Sequence, residues 1–271
     1  MDHVVIEPPS GWQFLRLKEL WRYRELLWVL GARDIKVRYK QTVLGAAWAL
    51  LQPLSAMLVF TLIFGRVAKL PSDGLPYPVF VYAGMLPWQL FSASVSNASS
   101  SVLSSSHLIS KVYFPRLLLP LASVGAALVD FVVASSLLLV LMVVYDVAPT
   151  LNLLMLPVLV FTSLLCAVGA GSVLSGIAVR YRDFRYVVPF TLQLWMYGSP
   201  VVYASSMIPE KYRWFVELNP MAGLIEGFRC CFLGRPFDVD QLLFSFGISA
   251  ALFVAGALVF SRTERALADI I

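Results

Sequence analysis

The chain of 271 residues is 59% hydrophobic and only 14% charged, with a mean hydropathy of +0.78. Soluble domains carry about 25% charged residues, so a water-soluble fold of this length could not hide so much apolar surface, and the solvent is mostly lipid. The net charge of +5 reports orientation in a membrane before it reports a nucleic-acid partner, and no basic run interleaved with aromatics points to RNA or DNA.

Residues 1–11 read as loose, with Pro8, Pro9 and Gly11 as breakers. The spacing predicts a helix from Trp12 to about Gly31, with Leu17, Leu20, Trp21, Leu27 and Trp28 on one stripe. Lys18, Glu19, Arg22 and Glu25 fall largely opposite, while Arg24 and Leu26 sit on the wrong sides. Two readings are open: an amphipathic helix lying in the membrane interface with its tryptophans at headgroup depth, and a short helix packing on a partner. No apolar core of a secretory signal lies in the first forty-two residues, so no cleavage is expected.

Arg33, Lys36, Arg38 and Lys40 precede a charge-free run, Gln41 to Gly65, which is the first expected crossing. Five more follow: Leu75–Ser106, Leu117–Tyr145 (broken only by Asp130), Val147–Val179, Val187–Pro209 and Gln241–Ser261. Each exceeds the roughly twenty residues that a spanning helix needs. Lipid cannot satisfy backbone groups, so the spans are helices rather than open strands. With both termini in the cytoplasm, fifteen of the twenty-one Lys and Arg residues lie inside, as the positive-inside rule asks. The expected organisation is a cytoplasmic segment 1–40, a six-helix membrane domain 41–261 and a cytoplasmic tail 262–271.

Two connections are not ordinary loops. The inside loop 107–116 is short and stopped by Pro115. The outside stretch 204–240 holds an apolar patch of Trp214, Phe215 and Leu218. Asn219 can then cap a helix with Pro220 in its first turn, and Gly234 can end it. Either two short helices dip into the outer leaflet, or two surface helices cover the bundle.

Chemistry in the chain itself is not evident. No GxxxxGK[ST] phosphate loop, HExxH, paired CxxC or GxSxG occurs, so nucleotide hydrolysis and the common hydrolase mechanisms lack their motifs. Cys166, Cys230 and Cys231 form no disulfide framework or metal-ligand spacing, and no metal site is expected. Asp130 alone lies within a span. It is either hydrogen-bonded by Ser or Thr of a neighbouring helix as part of the packing, or a functional acid such as a proton-coupling group. Two polar–aromatic stripes stand out: Gln41, Gly45, Trp48, Gln52, Ser55 and Val59 in the first span, and Tyr186, Phe190, Gln193, Tyr197 and Pro200 in the fifth. Such faces are costly in lipid unless they meet water, substrate or another helix. Aromatic rings with Gln and Tyr suit a sugar chain; helix–helix packing through buried polar groups is the other reading. The serines from Ser92 to Ser106 can bond back to their own helix backbone, which reads as a protein-facing helix.

Four blocks carry a likeness to a known family: GARDIKVRYKQTVLGAAWALLQPL (31–54), SKVYFPRLLLPL (110–121), RYRDFRYVVPFTLQLWMYGSPVVY (180–203) and NPMAGLIEGFR (219–229). Together they resemble the permease subunits of type-2 ABC exporters for bacterial surface polysaccharides (O-antigen, teichoic acid and capsule). The resemblance implies an all-α integral membrane protein of the bacterial plasma membrane, with six transmembrane helices and two re-entrant helices, 208–218 and 220–233. It implies a homodimer with two copies of an ABC ATPase. That partner would bind ATP and Mg, leaving this chain without a cofactor and without enzymatic activity. The cargo would be a polysaccharide on an undecaprenyl-diphosphate lipid.

Under this resemblance Trp48, Gln52, Ser55, Phe190, Gln193 and Tyr197 are channel-lining candidates. Lys111, Tyr113, Phe114, Arg116, Arg180, Arg182 and Asp183 are ATPase-docking candidates. Arg33, Lys36, Arg38 and Lys40 are candidates for the lipid diphosphate at the entrance. A type-2 permease for a drug or small lipid is the alternative function.

Overall fold

The computed structural model of the protein describes residues 17–40, 47–109, 111–181 and 183–270. Among them all regular structure is helical: α1 (Leu17–Arg22), α2 (Arg24–Lys40), α3 (Ala47–Phe60), α4 (Tyr77–Ser104), α5 (Ser106–Ile109), α6 (Leu118–Val144), α7 (Leu156–Arg180), α8 (Phe184–Tyr197), α9 (Glu210–Glu217), α10 (Pro220–Leu233) and α11 (Val239–Ile270). Wider turns prolong α3 to Val67, and a tight turn from Leu151 leads into α7.

Four of these rods are long and apolar enough to cross a membrane: Ala47–Val67, Leu118–Val144, Leu151–Arg180 and Val239–Thr263. Helix α4 is longer than most, at 28 residues, but is rich in Ser. It occupies the middle of the bundle and packs on α3, α6, α7, α8 and α10. A helix enclosed by other helices need not match lipid, so it can carry these hydroxyls.

Helix α8 departs from expectation. The charge-free run 187–209 is not one rod, because the helix stops at Tyr197 after 14 residues. That length spans about 21 Å, short of a hydrocarbon core of about 30 Å. Gly198, Ser199 and Pro200 then turn the chain inward, where Ser199, Val201 and Ala204 are buried.

The N-terminal helix also differs. The expected end at Gly31 is crossed, and α2 continues to Lys40. Gly31 lies inside the helix rather than at its end: a Cβ there would make ordinary contact, 3.6 Å from the Ala122 carbonyl, and Gly125 on α6 faces its Cα. The inward face is built from Leu20, Tyr23, Leu26, Leu27 and Leu30, which pack with Phe114, Leu118 and Phe260. Trp21 and Trp28 point outward, so the expected stripe is rotated and Leu26 is on the buried side. The expected start at Trp12 lies outside the described residues.

The stretch after α8 contains the two expected short helices, but they are unlike each other. Helix α9 is exposed along its length, whereas α10 is buried from Pro220 to Phe232 except at Glu226. The side chain of Asn219 caps α10 by accepting from the Met221 N–H at 3.0 Å. The same oxygen accepts from the Trp195 indole N–H at 3.1 Å, and the Asn219 amide donates to Ser199 Oγ at 2.8 Å. Gly234 ends the helix with φ +68°. Asn152 then clasps that end from the other side, donating to the carbonyls of Cys230 and Arg235 at 3.1 and 2.7 Å.

At the centre of α10, Arg229 is fully buried. Its guanidinium donates to the Val201 carbonyl at 2.8 Å, pairs with Glu226 at 3.3 Å and lies 3.8 Å over the Phe80 ring. Gly84 makes the room, since a Cβ there would sit 2.7 Å from both Arg229 Nη2 and the Val201 oxygen. Replacing Gly84 by Ala should therefore destabilise the protein by about 1–3 kcal/mol through overpacking. Asn219→Ala should lose about 1 kcal/mol for the cap alone and more for its two bridges. Thermal unfolding of detergent-solubilised variants checks both, and a melting temperature unchanged by Gly84→Ala would contradict this packing.

Candidate functional site

A cavity of about 570 Å³ with several polar side chains on its wall lies between α2, α3, α4, α6 and α8. Trp48 and Gln52 enter from α3, Gln89 from α4, Asp130 from α6 and Gln193 from α8. Two further spaces continue along α4 toward its C-terminal end. One, of about 630 Å³, lies between α4, the end of α7 and the start of α8, with Ser96, Ser99, Ser100 and Arg185 on its wall. The other, of about 300 Å³, lies between α2, α4 and α6, with Arg33, Asn97 and Ser123 on its wall. Ser96 borders the first two spaces, Arg38 borders the first and third, and Ser100 borders the second and third.

Ser94, Ser99, Ser101 and Ser105 are buried, as expected for a protein-facing helix. Ser96, Ser99, Ser100, Ser101 and Ser104 also border the cavities. Ser99, Ser101 and Ser104 donate to carbonyls one turn back, at 2.8, 2.8 and 3.0 Å. Their protons are occupied within the helix, so the oxygens remain as acceptors.

Among the described residues Asp130 is held by α2 rather than by Ser or Thr. One carboxylate oxygen meets Arg38 Nη2 at 2.6 Å, and the other accepts from the Tyr39 hydroxyl. The acid is 19% exposed and the arginine 44%. This pair fastens α2 to α6 at the cavity wall.

Of the six channel-lining candidates, Trp48, Gln52 and Gln193 meet on the cavity. Phe190 and Tyr197 are exposed on the outer side of α8, at 62% and 57%. Ser55 is exposed on α3 and donates to the Leu51 carbonyl at 2.7 Å. The faces of α3 and α8 flank α4 without close packing on each other, leaving an open side.

The docking candidates gather at one end. Phe114 and Val179 share a buried cluster, so the loop after α5 and the turn after α7 are neighbours. Lys111, Tyr113, Arg180 and Asp183 are exposed there, and Arg116 is half-buried. Phe114 is an inward anchor, 3% exposed, and does not face solvent. Arg182 lies outside the described residues. Among the entrance candidates Arg33 is paired with Asp34 at 2.8 Å and Arg38 with Asp130. Lys36 and Lys40 are exposed, with no ion pair among the described residues.

Sequence reasoning missed Tyr39, Gln89 and the partnership of Asp130 with Arg38. A lone acid in a span was the available signal, but its partner lies 92 positions away in the chain and nothing local marks it.

Residues 25–233 match the family described as ABC-2 type transporter. The chain is similar to the O-antigen export system permease protein RfbA of Myxococcus xanthus, 32% identical over 257 residues, covering 93% of this chain and 98% of that one. It is also similar to the protein of that name from Klebsiella pneumoniae, 29% identical over 248 residues, with 91% and 95% covered. The polysialic acid transport protein KpsM of Escherichia coli is 24% identical over 199 residues, with 72% and 76% covered.

The three native cysteines are buried, which gives a low background for thiol labelling. Single cysteines at Gln52 and Gln193 should react with a hydrophilic maleimide several-fold faster than one at Leu192, which is buried on the same helix as Gln193. Equal slow rates at all three positions would mean that the cavity is dry.

Proposed function

Because this chain belongs to the ABC-2 type transporter family, we propose that it is the membrane permease subunit of an ATP-driven exporter of a bacterial surface polysaccharide. The observation that carries this reading is the polar, aromatic-edged cavity in a bundle that has four rods long and apolar enough to cross a membrane. The similarity to permeases named for O-antigen and polysialic acid transport supports the class of cargo.

The finer assignments belong to the same proposal. Helix α4, and α8 together with the buried turn that follows it, join the four apolar rods to make six crossings, and α9 and α10 form the re-entrant element on the outer side. Both termini are cytoplasmic, in the inner membrane. Two copies of this chain pair, so that the open faces of α3 and α8 close on each other and the half-exposed Trp48, Phe190 and Tyr197 meet the path rather than lipid. A sugar ring stacks on such aromatics, while Gln52 and Gln193 supply adaptable hydrogen bonds. The cargo is carried on undecaprenyl diphosphate, drawn to the basic α2.

Energy enters through a partner ATPase, two copies per dimer, which binds ATP and Mg. Lys111, Tyr113, Arg116, Arg180, Arg182 and Asp183 are the contact points, with Phe114 holding their platform. ATP binding can open the path only if the partner grips two states of these loops with different affinity.

The test is ATPase turnover of the partner co-purified with this chain in lipid nanodiscs. Undecaprenyl-diphosphate-linked polymer should stimulate it, and a panel of small amphiphiles should not. Stimulation by amphiphiles alone would point to a drug or small-lipid permease. Arg180→Glu should lower the polymer-stimulated rate about tenfold, as loss of a coupling of about 1–3 kcal/mol would. A full response in that variant would remove Arg180 from the coupling surface.

A further inference from the structure

Asp130 raises a question that the transport path alone does not answer. Helix α6 is otherwise free of ionisable residues over its 27 positions, and a carboxylate in such a helix is costly. The helix would pack as well with Asn or Ser there if packing were the only demand. What the carboxylate does is hold Arg38 at a particular place. Arg38 is the cation that borders both the large cavity and the smaller one between α2, α4 and α6. The ion pair therefore stands at the neck between them.

The pair is built loosely for a structural bridge. Arginine and a carboxylate commonly join through two parallel bonds. Here one carboxylate oxygen takes a single Arg38 nitrogen, and the other oxygen is taken by Tyr39. The guanidinium is 44% exposed, so its remaining N–H donors face the cavities. Tyr39 also matters if Arg38 leaves, because its hydroxyl still satisfies Asp130. Lys36 and Lys40, exposed on the same helix, add positive potential at this end of the cavity.

We propose that Asp130 is an internal stand-in for an anionic lipid headgroup. It parks Arg38 at the neck between the cavities, and a phosphate-bearing headgroup displaces it by taking the guanidinium bidentately. The exchange swaps one anion for another on the same cation; the released carboxylate keeps the Tyr39 hydrogen bond but loses its counter-charge, a cost that the second guanidinium–phosphate bond must offset. A neutral lipid cannot make the swap, which makes the pair a selectivity element. This rests on the export reading of the cavity and adds a role for Asp130 that the reading does not require.

The experiment uses the permease with its ATPase partner in nanodiscs. The half-saturating concentration of undecaprenyl diphosphate is read from stabilisation against thermal unfolding, with undecaprenol and inorganic pyrophosphate as separate arms. Asp130→Asn removes the competitor and should lower that concentration about tenfold, within the usual range of coupling between two ligands of one group. Arg38→Gln should raise it, and the double variant should behave like Arg38→Gln, because Asp130 acts only through Arg38. Undecaprenol should show no shift. Should the Asn variant fail to assemble, Asp130→Ser leaves the same guanidinium without its carboxylate and carries the same expectation.

A weaker or unchanged response in Asp130→Asn would overturn the proposal. So would a gain that persists in the Arg38→Gln background, or an equal gain with inorganic pyrophosphate, which would assign the site to a free anion. If the gain appears as expected while turnover of the wild-type complex ignores lipid-linked polymer, the exchange stands and the polysaccharide reading falls.

Discussion

A single buried cation organises one half of the bundle. Arg229 has no exposure, yet it keeps its charge by binding the Val201 carbonyl, pairing with Glu226 and covering the Phe80 ring. An unpaired charge at such a site would be strongly unfavourable, so these partners are demanded together. They come from three places: the turn after α8, α10 itself and the start of α4. Ordering one of them orders the others. Gly84 completes the arrangement by leaving the guanidinium its space.

This constraint explains why α10 is inside the bundle. Its apolar face would be content at a leaflet surface, but Arg229 would then face lipid. Drawn inward, α10 fills the bundle at the level of Phe80 and Gly84 on α4. The cavities begin further along the same helix, from Leu86 to Ser105. One helix thus carries a dry, filled segment and a polar, hollow one in series. Asn219, Asn152 and the Arg235–Asp73 pair at 3.2 Å hold the two ends of α10 in register with the rest.

The second half is organised by the weaker ion pair of Arg38 and Asp130. It brings α2, a helix with no span of its own, against α6, aided by the close approach of Gly31 to Gly125. Leu30 and Phe114 then bury beside Val179, which links α2 to the loops at the end of the bundle. A partner that moved those loops would move α2, and with it the cation at the cavity neck. The two ion pairs differ in exposure for a physical reason: a buried charge fixes a structure, whereas a half-exposed one can exchange partners.

The sequence alone determined the class of solvent, the helical character and the bounds of α10. These follow from local physics: long charge-free runs need lipid, lipid forbids open strands, and Asn219–Pro220 and Gly234 have capping chemistry that acts within a turn. It also marked Trp48, Gln52 and Gln193 as costly in lipid, and these three do meet on the cavity. Only the tertiary structure decided which groups meet across the chain. Hydropathy counts the cost of Asp130 and Arg229 but cannot name the distant partners that offset it: α2 for Asp130, and for Arg229, besides Glu226 on its own helix, the Val201 carbonyl and the Phe80 ring. The same holds for Gly31, which reads locally as a helix end and lies instead inside α2 opposite Gly125 of α6, and for Phe114, which sits in a polar loop yet is buried. The end of α8 at Tyr197 was likewise invisible, because the inward turn that follows is stabilised by Asn219 and Arg229, contacts that exist only once α10 is in place.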